Sequence, residues 1–337
     1  MSKHAIVWMT DVVATMGDAD LIEFASCLPD SMVWVVLTAR NTEPMSHEVR
    51  LNSLAQCFAD RTNVVIRGSV VDEAPQDTDD PNFWAWWTAE INRNCLDAGG
   101  RWDYVVACQG YGVELAQAVG AQFVSYDMRH TRYPVDNSIV REDPWGHWAY
   151  FLPAFRREHM VTLTVFGQEC VGKTTLARRV SELLGVEWID EWCRLHLETV
   201  GPDIDEAMME VIAAGQTAWQ GLARHKADSP VLIQDTDLYS TLGYYMIGDV
   251  TPPPWLRTQA DLLASDLYIV LPDDIPFIPD PLRYGGDVRE SALGFWTELL
   301  DEVGHGYLIV PSGTVEEKAQ WIASQVCTLV DARWALI

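Results

Sequence analysis

"GQECVGKTTL", residues 167–176, places a glycine, four residues, then glycine-lysine-threonine, which is the spacing of a phosphate-binding loop. Context decides whether such a match means anything. Here the apolar run "VTLTVFG" (161–167) leads into it and the helical pattern "TLARRVSELL" (175–184) leads out, the strand, loop and helix the motif requires. Gly167 and Gly172 would let backbone N–H groups wrap the phosphates while the helix N-terminus adds positive potential. Lys173 would then span the β and γ groups and Thr174 would ligate magnesium, so ATP or a similar triphosphate and Mg2+ are the implied cofactors.

Outward from the loop, 337 residues exceed the roughly 250–300 at which a single hydrophobic core stops growing, so two domains are expected. Ahead of it, the apolar runs "AIVWM" (5–9), "MVWVVLTA" (32–39), "NVVIRG" (63–68), "YVVAC" (104–108) and "QFVSY" (122–126) alternate with helical patterns at 19–28, 46–59, 82–98 and 112–119. The alternation resumes behind the loop's strand, with strands at 161–166, 186–189, 230–234, 267–271 and 307–310 and helices beginning at 172, 205, 238, 257, 291 and 315. Continuous apolar strands separated by helices predict parallel sheets covered on both faces. The stretch 130–160 interrupts the pattern with three prolines and many polar residues, which puts the boundary near residue 155. The expected fold is therefore α/β: two doubly wound parallel-sheet domains, a Rossmann-like one over 1–155 and a P-loop one over 156–337.

Forty-nine acidic against 23 basic side chains give a formal charge of −26, which repels nucleic-acid phosphates and anionic membranes; neither is an expected partner. With 48% hydrophobic residues and 15 tryptophans, the chain can bury a large core and is not of the disordered class. Seven scattered cysteines without a CxxC pair predict reduced thiols rather than a zinc site or disulfide framework. "MSKHAIVWMTDVV" has none of the features of a signal peptide and no apolar stretch reaches the roughly 18 residues of a membrane span, so a cytoplasmic protein is expected.

What receives the phosphoryl group must be read from residues near the loop. "WIDEWCR" (188–194) puts Asp190 and Glu191 at the carboxyl end of a parallel strand, where open α/β sheets bind ligands. Glu191 is the candidate base for an acceptor hydroxyl; its alternative is a helix-start carboxylate that only favours the dipole. "VLIQDTDLYST" (231–241) ends an apolar run in Asp235, placed to serve the magnesium shell, and Asp237, which serves the substrate or caps the helix at 238. "LPDDIPFIPDPLRYGGDVRE" (271–290) reads as a lid from which Arg283 and Arg289 would close on the triphosphate, or else as a solvated loop.

"GQECVGKTTL", "DEWCR" (190–194), "IAAGQ" (212–216), "LIQDTD" (232–237) and "DIPFIPDPLR" (274–283), in this order, resemble the nicotinamide riboside kinase domain of the NadR family over 161–330. Residues 127–156 resemble the join between that domain and the family's nicotinamide mononucleotide adenylyltransferase domain, which would make the front half nucleotidyltransferase-type. The resemblance implies transfer of the γ-phosphate of ATP to the 5′-hydroxyl of nicotinamide riboside. On it, Gly167, Gly172, Lys173, Thr174 and Thr175 would contact ATP, and Asp235 would stand near magnesium. Glu191 and Arg194 would face the riboside, with Asp280 and Arg283 in the lid. Trp192 and Tyr239 would flank the cationic nicotinamide ring, or belong to the core.

The front half departs from the family. Where G-x-F-x-P-x-H-x-G-H is expected, "MTDVVATMGD" (9–18) keeps only Gly17 and carries Thr15 and Asp18 in the histidine places. The second signature is "VDNSIVR" (135–141), with Ser138 and Arg141 kept and Asp136 in a serine place. Two acids in phosphate-handling positions predict a domain inactive in adenylyl transfer or repurposed, on a scaffold where Tyr111 and Gly112 persist. The alternatives are a bifunctional enzyme that also makes NAD, a kinase of another nucleoside, and an ATP-binding sensor. A repressor is not expected, because the helix-turn-helix segment of transcription-repressing members does not fit ahead of a strand that starts at residue 5. The sequence leaves the oligomeric state open, a homo-oligomer included.

Overall fold

The computed structural model describes residues 3–10, 15–43, 46–134, 137–276 and 293–334, without the side chains of Asn137 and Arg141. The chain divides into two units, Met1–Glu158 with Arg333–Ile337, and His159–Ala332. The first runs β1 (Lys3–Met9), α1 (Met16–Ser26), β2 (Ser31–Ala39), α2 (His47–Cys57), β3 (Val64–Val70), α3 (Phe83–Asn94), β4 (Tyr104–Ala107), α4 (Tyr111–Val119), β5 (Gln122–Ser125), α5 (Asn137–Glu142) and α6 (Pro153–His159). β1 is buried from Ala5 to Met9 on both faces, as a central parallel strand must be. It pairs with β2 from Lys3↔Ser31 to Met9↔Leu37 and with β4 on its other side, in a parallel sheet of order β3-β2-β1-β4-β5. The tryptophan-rich stretch "FWAWWTAEI" is core: Phe83, Trp87 and Ile91 recur at helical spacing and are buried, with the Trp8 and Trp87 rings 4.7 Å apart.

The second unit continues with β6 (Val161–Phe166), α7 (Lys173–Leu184), β7 (Glu187–Ile189), α8 (Trp192–Val200), α9 (Glu206–Lys226), β8 (Val231–Asp235), α10 (Leu238–Ile247), α11 (Pro254–Leu262), β9 (Leu267–Val270), α12 (Leu293–Val303), β10 (Tyr307–Ile309) and α13 (Val315–Trp334). Its parallel sheet has the order β10-β9-β6-β8-β7, with the fully buried β6 between β8 and β9. Gln234 of β8 bonds to polar side chains packed against the sheet: Gln220 Nε2 donates to Gln234 Oε1 at 2.8 Å, and Gln234 Nε2 donates to Ser265 Oγ at 2.7 Å. A buried polar group is tolerated when it is bonded in this way.

Three local readings change. The proline-containing stretch 130–160 holds the short helices α5 and α6. α8 was not anticipated: "WCRLHLETV" is short and is stopped by Gly201, whose φ of 106 only glycine adopts readily. α11 begins at Pro254 rather than at 257, because proline at the first helical turn needs no amide partner and brings its own φ. Among the described residues no helix is long and apolar enough to cross a membrane.

Candidate functional site

The 167–172 loop joins the central strand β6 to α7 and reverses through three left-handed residues: Gly167 (φ 129), Cys170 (φ 54) and Gly172 (φ 87). A Cβ on Gly167 would come within 3.2 Å of the Leu271 carbonyl, so a larger residue would meet both strain and backbone. Lys173 is 3% exposed and donates from Nζ to the carbonyls of Gly167 (3.0 Å) and Gln168 (2.8 Å). A buried ammonium needs such partners, and these hold it within the loop it serves. The first turn of α7 carries no acidic residue and its N-cap, Gly172, makes no side-chain cap bond. The first amides of a helix have no intrahelical carbonyl to bond, so this end suits an external anion. Thr174 is half-buried in this turn, whereas Thr175 is exposed.

Asp235 ends β8, 1% exposed, in register with Val165 of β6. The Thr174 hydroxyl and the Asp235 carboxylate are hard oxygen donors, and a set this small suits Mg2+, which keeps waters and takes its remaining ligands from phosphates. Among the described residues no group of three or more His, Cys, Asp or Glu side chains could hold a metal.

A cleft of about 170 Å³ opens beside the loop, with Glu169 of the loop, Glu191 and Arg194 at the start of α8, Gln216 on α9, and Ser240 and Tyr245 on α10 in its lining. Glu191 is the N-cap residue of α8 but makes no side-chain capping bond, so its carboxylate is not committed to the helix end. Thr236, also in the lining, has φ 67; a β-branched residue in the left-handed region costs on the order of 1–3 kcal/mol, and such strain gathers at functional sites. Among the described residues, four carboxylates, Glu169, Glu191, Asp205 and Glu206, share the lining with one guanidinium, Arg194. The cleft therefore favours a neutral or cationic occupant over an anionic one.

For Asp237 and Tyr239 the structure shows the alternative left open for each, a helix cap and a core side chain. Asp237, 1% exposed, accepts from the amides of Tyr239 (3.0 Å) and Ser240 (3.1 Å) and from the Tyr268 hydroxyl (2.6 Å). It is the cap of α10, and burial pushes its carboxyl up to about 6 against those bonds. Tyr239 has no exposed surface, and its hydroxyl donates to Asp261 at 2.5 Å and lies 3.0 Å from His305 Nε2. Burial and the Asp261 carboxylate raise its pKa, so it is a core residue. Trp192 stacks on His196 with centroids 4.5 Å apart and lies on Gly215, where a Cβ would come within 2.4 Å of the indole. Its ring is outside the cleft lining, as is the half-buried Asp190. Asp280, Arg283 and Arg289 lie outside the described residues. Sequence reasoning missed Ser240 and Tyr245 and gave Gln216 no role; α10 carries hydroxyls at Tyr239, Ser240, Thr241, Tyr244 and Tyr245, and nothing in their spacing singles out the two.

In the first unit, Asp18 is the acid of a capping box on α1. Its Oδ2 accepts from the Thr15 amide (2.7 Å) and hydroxyl (2.8 Å), and Thr15 Oγ1 accepts from the Asp18 amide at 3.3 Å. The helix end is thereby satisfied from within. Residues 11–14 and 135–136, Asp136 among them, lie outside the described residues.

The sheet order, the loop and the neighbouring cleft define a P-loop nucleotide-binding protein of the kinase type. A family model described as "AAA domain" matches residues 162–318. The trifunctional NAD biosynthesis/regulator protein NadR of Escherichia coli (strain K12) is 23% identical over 229 residues, covering 66% of this chain and 56% of that protein. Its namesake from Salmonella typhimurium (strain LT2) is 22% identical over the same shares, so the match spans little more than half of either relative. A solved NadR structure in complex with NAD and AMP-PNP superposes with a TM-score of 0.67 at 19% identity, over 98% of this chain and 97% of that one. Another, in complex with NR, gives 0.66 at 19% identity over 96% and 95%. At such identities the structural likeness is one of fold. In sequence and in fold the chain is similar to NadR proteins.

Proposed function

We propose that the second unit transfers the γ-phosphate of ATP to the 5′-hydroxyl of nicotinamide riboside, giving nicotinamide mononucleotide. The observation that carries this reading is the cleft beside the phosphate-binding loop, which offers Glu191 as a base and a lining of four carboxylates to one guanidinium. A pyridinium riboside is a cation and gains from that lining, whereas an ordinary pyrimidine or purine nucleoside is neutral and gains little. The solved relatives in complex with NR and with NAD and AMP-PNP support the same assignment. The amides of the 167–172 loop and Lys173 hold the triphosphate and offset charge on the moving phosphoryl group. Glu191 accepts the hydroxyl proton and Arg194 faces the ribose. Mg2+, held by Thr174 and Asp235, would supply further positive charge at the β and γ phosphates.

A second reading concerns the first unit, where Asp18 fills the helix end at which a nucleotide phosphate would dock. We propose that this unit no longer transfers adenylyl groups.

Both readings are tested in one set of incubations with ATP and magnesium, following ADP and phosphorylated product. Nicotinamide riboside is expected to exceed thymidine, deoxycytidine and deoxyadenosine by about 100-fold or more in kcat/KM. Phosphorylation of a deoxynucleoside without nicotinamide riboside would sink the substrate assignment. With nicotinamide mononucleotide in place of the riboside, neither NAD nor pyrophosphate should form; their appearance would restore the adenylyltransferase.

A further inference from the structure

The chain has four lysines, and two of them are buried in the second unit: Lys173 at the phosphate-binding loop and Lys318 near the start of α13. Lys318, 4% exposed, donates from Nζ to Asp274 Oδ1 at 2.6 Å. That bond, with the Ser312 hydroxyl, holds the Asp274 carboxyl below its usual range, so it stays ionised at neutral pH. A buried ion pair adds little stability, because desolvation offsets the Coulombic gain and apolar side chains of similar volume often serve as well. What this pair fixes is position. Asp274 belongs to the segment 271–276 that follows β9, and the segment runs along the phosphate-binding loop. The Leu271 amide donates to the Phe166 carbonyl at 3.0 Å, and the Leu271 carbonyl lies 3.2 Å from where a Cβ on Gly167 would stand. Ile275 Cδ1 lies 3.5 Å from the corresponding point on Gly172. Both glycines are therefore backed by residues on either side of Asp274. α13 is tied in turn to the helix that the loop opens, since Arg179 Nε of α7 donates to Glu316 Oε2 at 2.8 Å.

We propose that Lys318 is a positioning residue for the nucleotide: through Asp274 it holds segment 271–276 against Gly167 and Gly172, so that the loop meets the triphosphate already in shape. The inference rests on the reading that this loop binds ATP, and adds to it a residue whose ammonium is committed to Asp274 rather than to a phosphate. Without that ammonium, Asp274, whose side chain is 22% exposed, turns to solvent, and Ile275 loses its fixed place beside Gly172. A nucleotide must then order the segment as it binds, which costs affinity. The acceptor cleft takes none of its lining from 271–276, so the acceptor is not affected.

The experiment measures Kd for ATP with magnesium by titration calorimetry, KM for nicotinamide riboside, and Tm. It compares the wild-type chain, Lys318→Met, and a double variant that adds Asp274→Leu. The single change removes the charge and keeps the length of the side chain. The double change replaces the ion pair by apolar side chains, which should bring Tm back to within about 5 °C of wild type. Kd for ATP should rise about tenfold in both variants, while KM for the riboside moves by less than about twofold. A role in folding alone would move both ligands together and would disappear in the double variant. An ATP Kd within about twofold of wild type in the double variant, or an equal rise in the riboside KM, overturns the inference and leaves the kinase reading standing. If Lys318→Met does not fold, the double variant decides by the same criteria; a double variant that does not fold shows the pair to be a requirement of the fold, which also overturns the inference. If the wild type itself binds no ATP, the reading of the loop falls and takes this inference with it.

Discussion

Each unit contains a central parallel strand that is followed in the chain by a helix: β1 by α1, and β6 by α7. The backbone supplies the same thing in both places, a row of amides and the positive end of a helix dipole. The side chains treat it oppositely. Ahead of α7 the cap is a glycine, no acid follows in the first turn, and a buried lysine stands in the loop. Ahead of α1 a threonine caps the helix and Asp18 supplies its own carboxylate to that end. Topology creates an anion site, and a handful of residues decide whether a ligand or the chain itself occupies it.

The most severe way to break this contrast is Lys173→Ala. The variant removes the charge aimed at the transferred phosphoryl group, so kcat should fall by at least about 10³-fold with circular dichroism unchanged. Turnover within about tenfold of wild type would mean that the 167–172 loop is not where the triphosphate reacts.

The contrast between the two turns was largely legible in sequence. Strands such as "AIVWM" and "VTLTVF" are buried on both faces and announce themselves as unbroken apolar runs, and glycines at 167 and 172 stand where left-handed backbone is needed. Asp18 could be seen as an acid in the wrong place, although not as a cap, because only coordinates show it turning back to the Thr15 amide. Asp235 and Asp237 look equivalent on paper. The left-handed Thr236 between them separates their surroundings, leaving one at the strand end and the other beneath α10. Ser240 and Tyr245 were invisible for another reason: α10 is buried nearly all round, so no apolar stripe marks which of its residues face the cleft.

Asp237, like Asp18, caps a helix, and pH tests its burial. The carboxyl of Asp237 titrates at about 6 in the fold, above the usual 3.8, so the folded chain keeps a proton that the unfolded chain releases. Stability should therefore fall as pH rises from roughly 4 to 6, by about 3 kcal/mol at most from this group. Asparagine cannot ionise. Urea unfolding of wild type and Asp237→Asn at several pH values across that window should show curves that converge or cross as pH rises, since only the wild type carries the slope. Parallel curves would show that the Arg224 guanidinium and the three donors fully compensate the buried charge.

The smallest expected effect lies at the filled helix end of the first unit. Asp18→Ala removes the acceptor for the Thr15 amide and hydroxyl but leaves Thr15 Oγ1 to accept from the amide of residue 18. Half a capping box survives, so the loss should be about 1 kcal/mol in the unfolding of that unit rather than a collapse of α1. The kinase kcat/KM should not change, because no part of the proposed phosphoryl transfer passes through this helix. A variant as stable as wild type would show that the carboxylate does not hold the helix end. The amides there would then be open to a phosphate, and the electrostatic difference between the two turns would vanish.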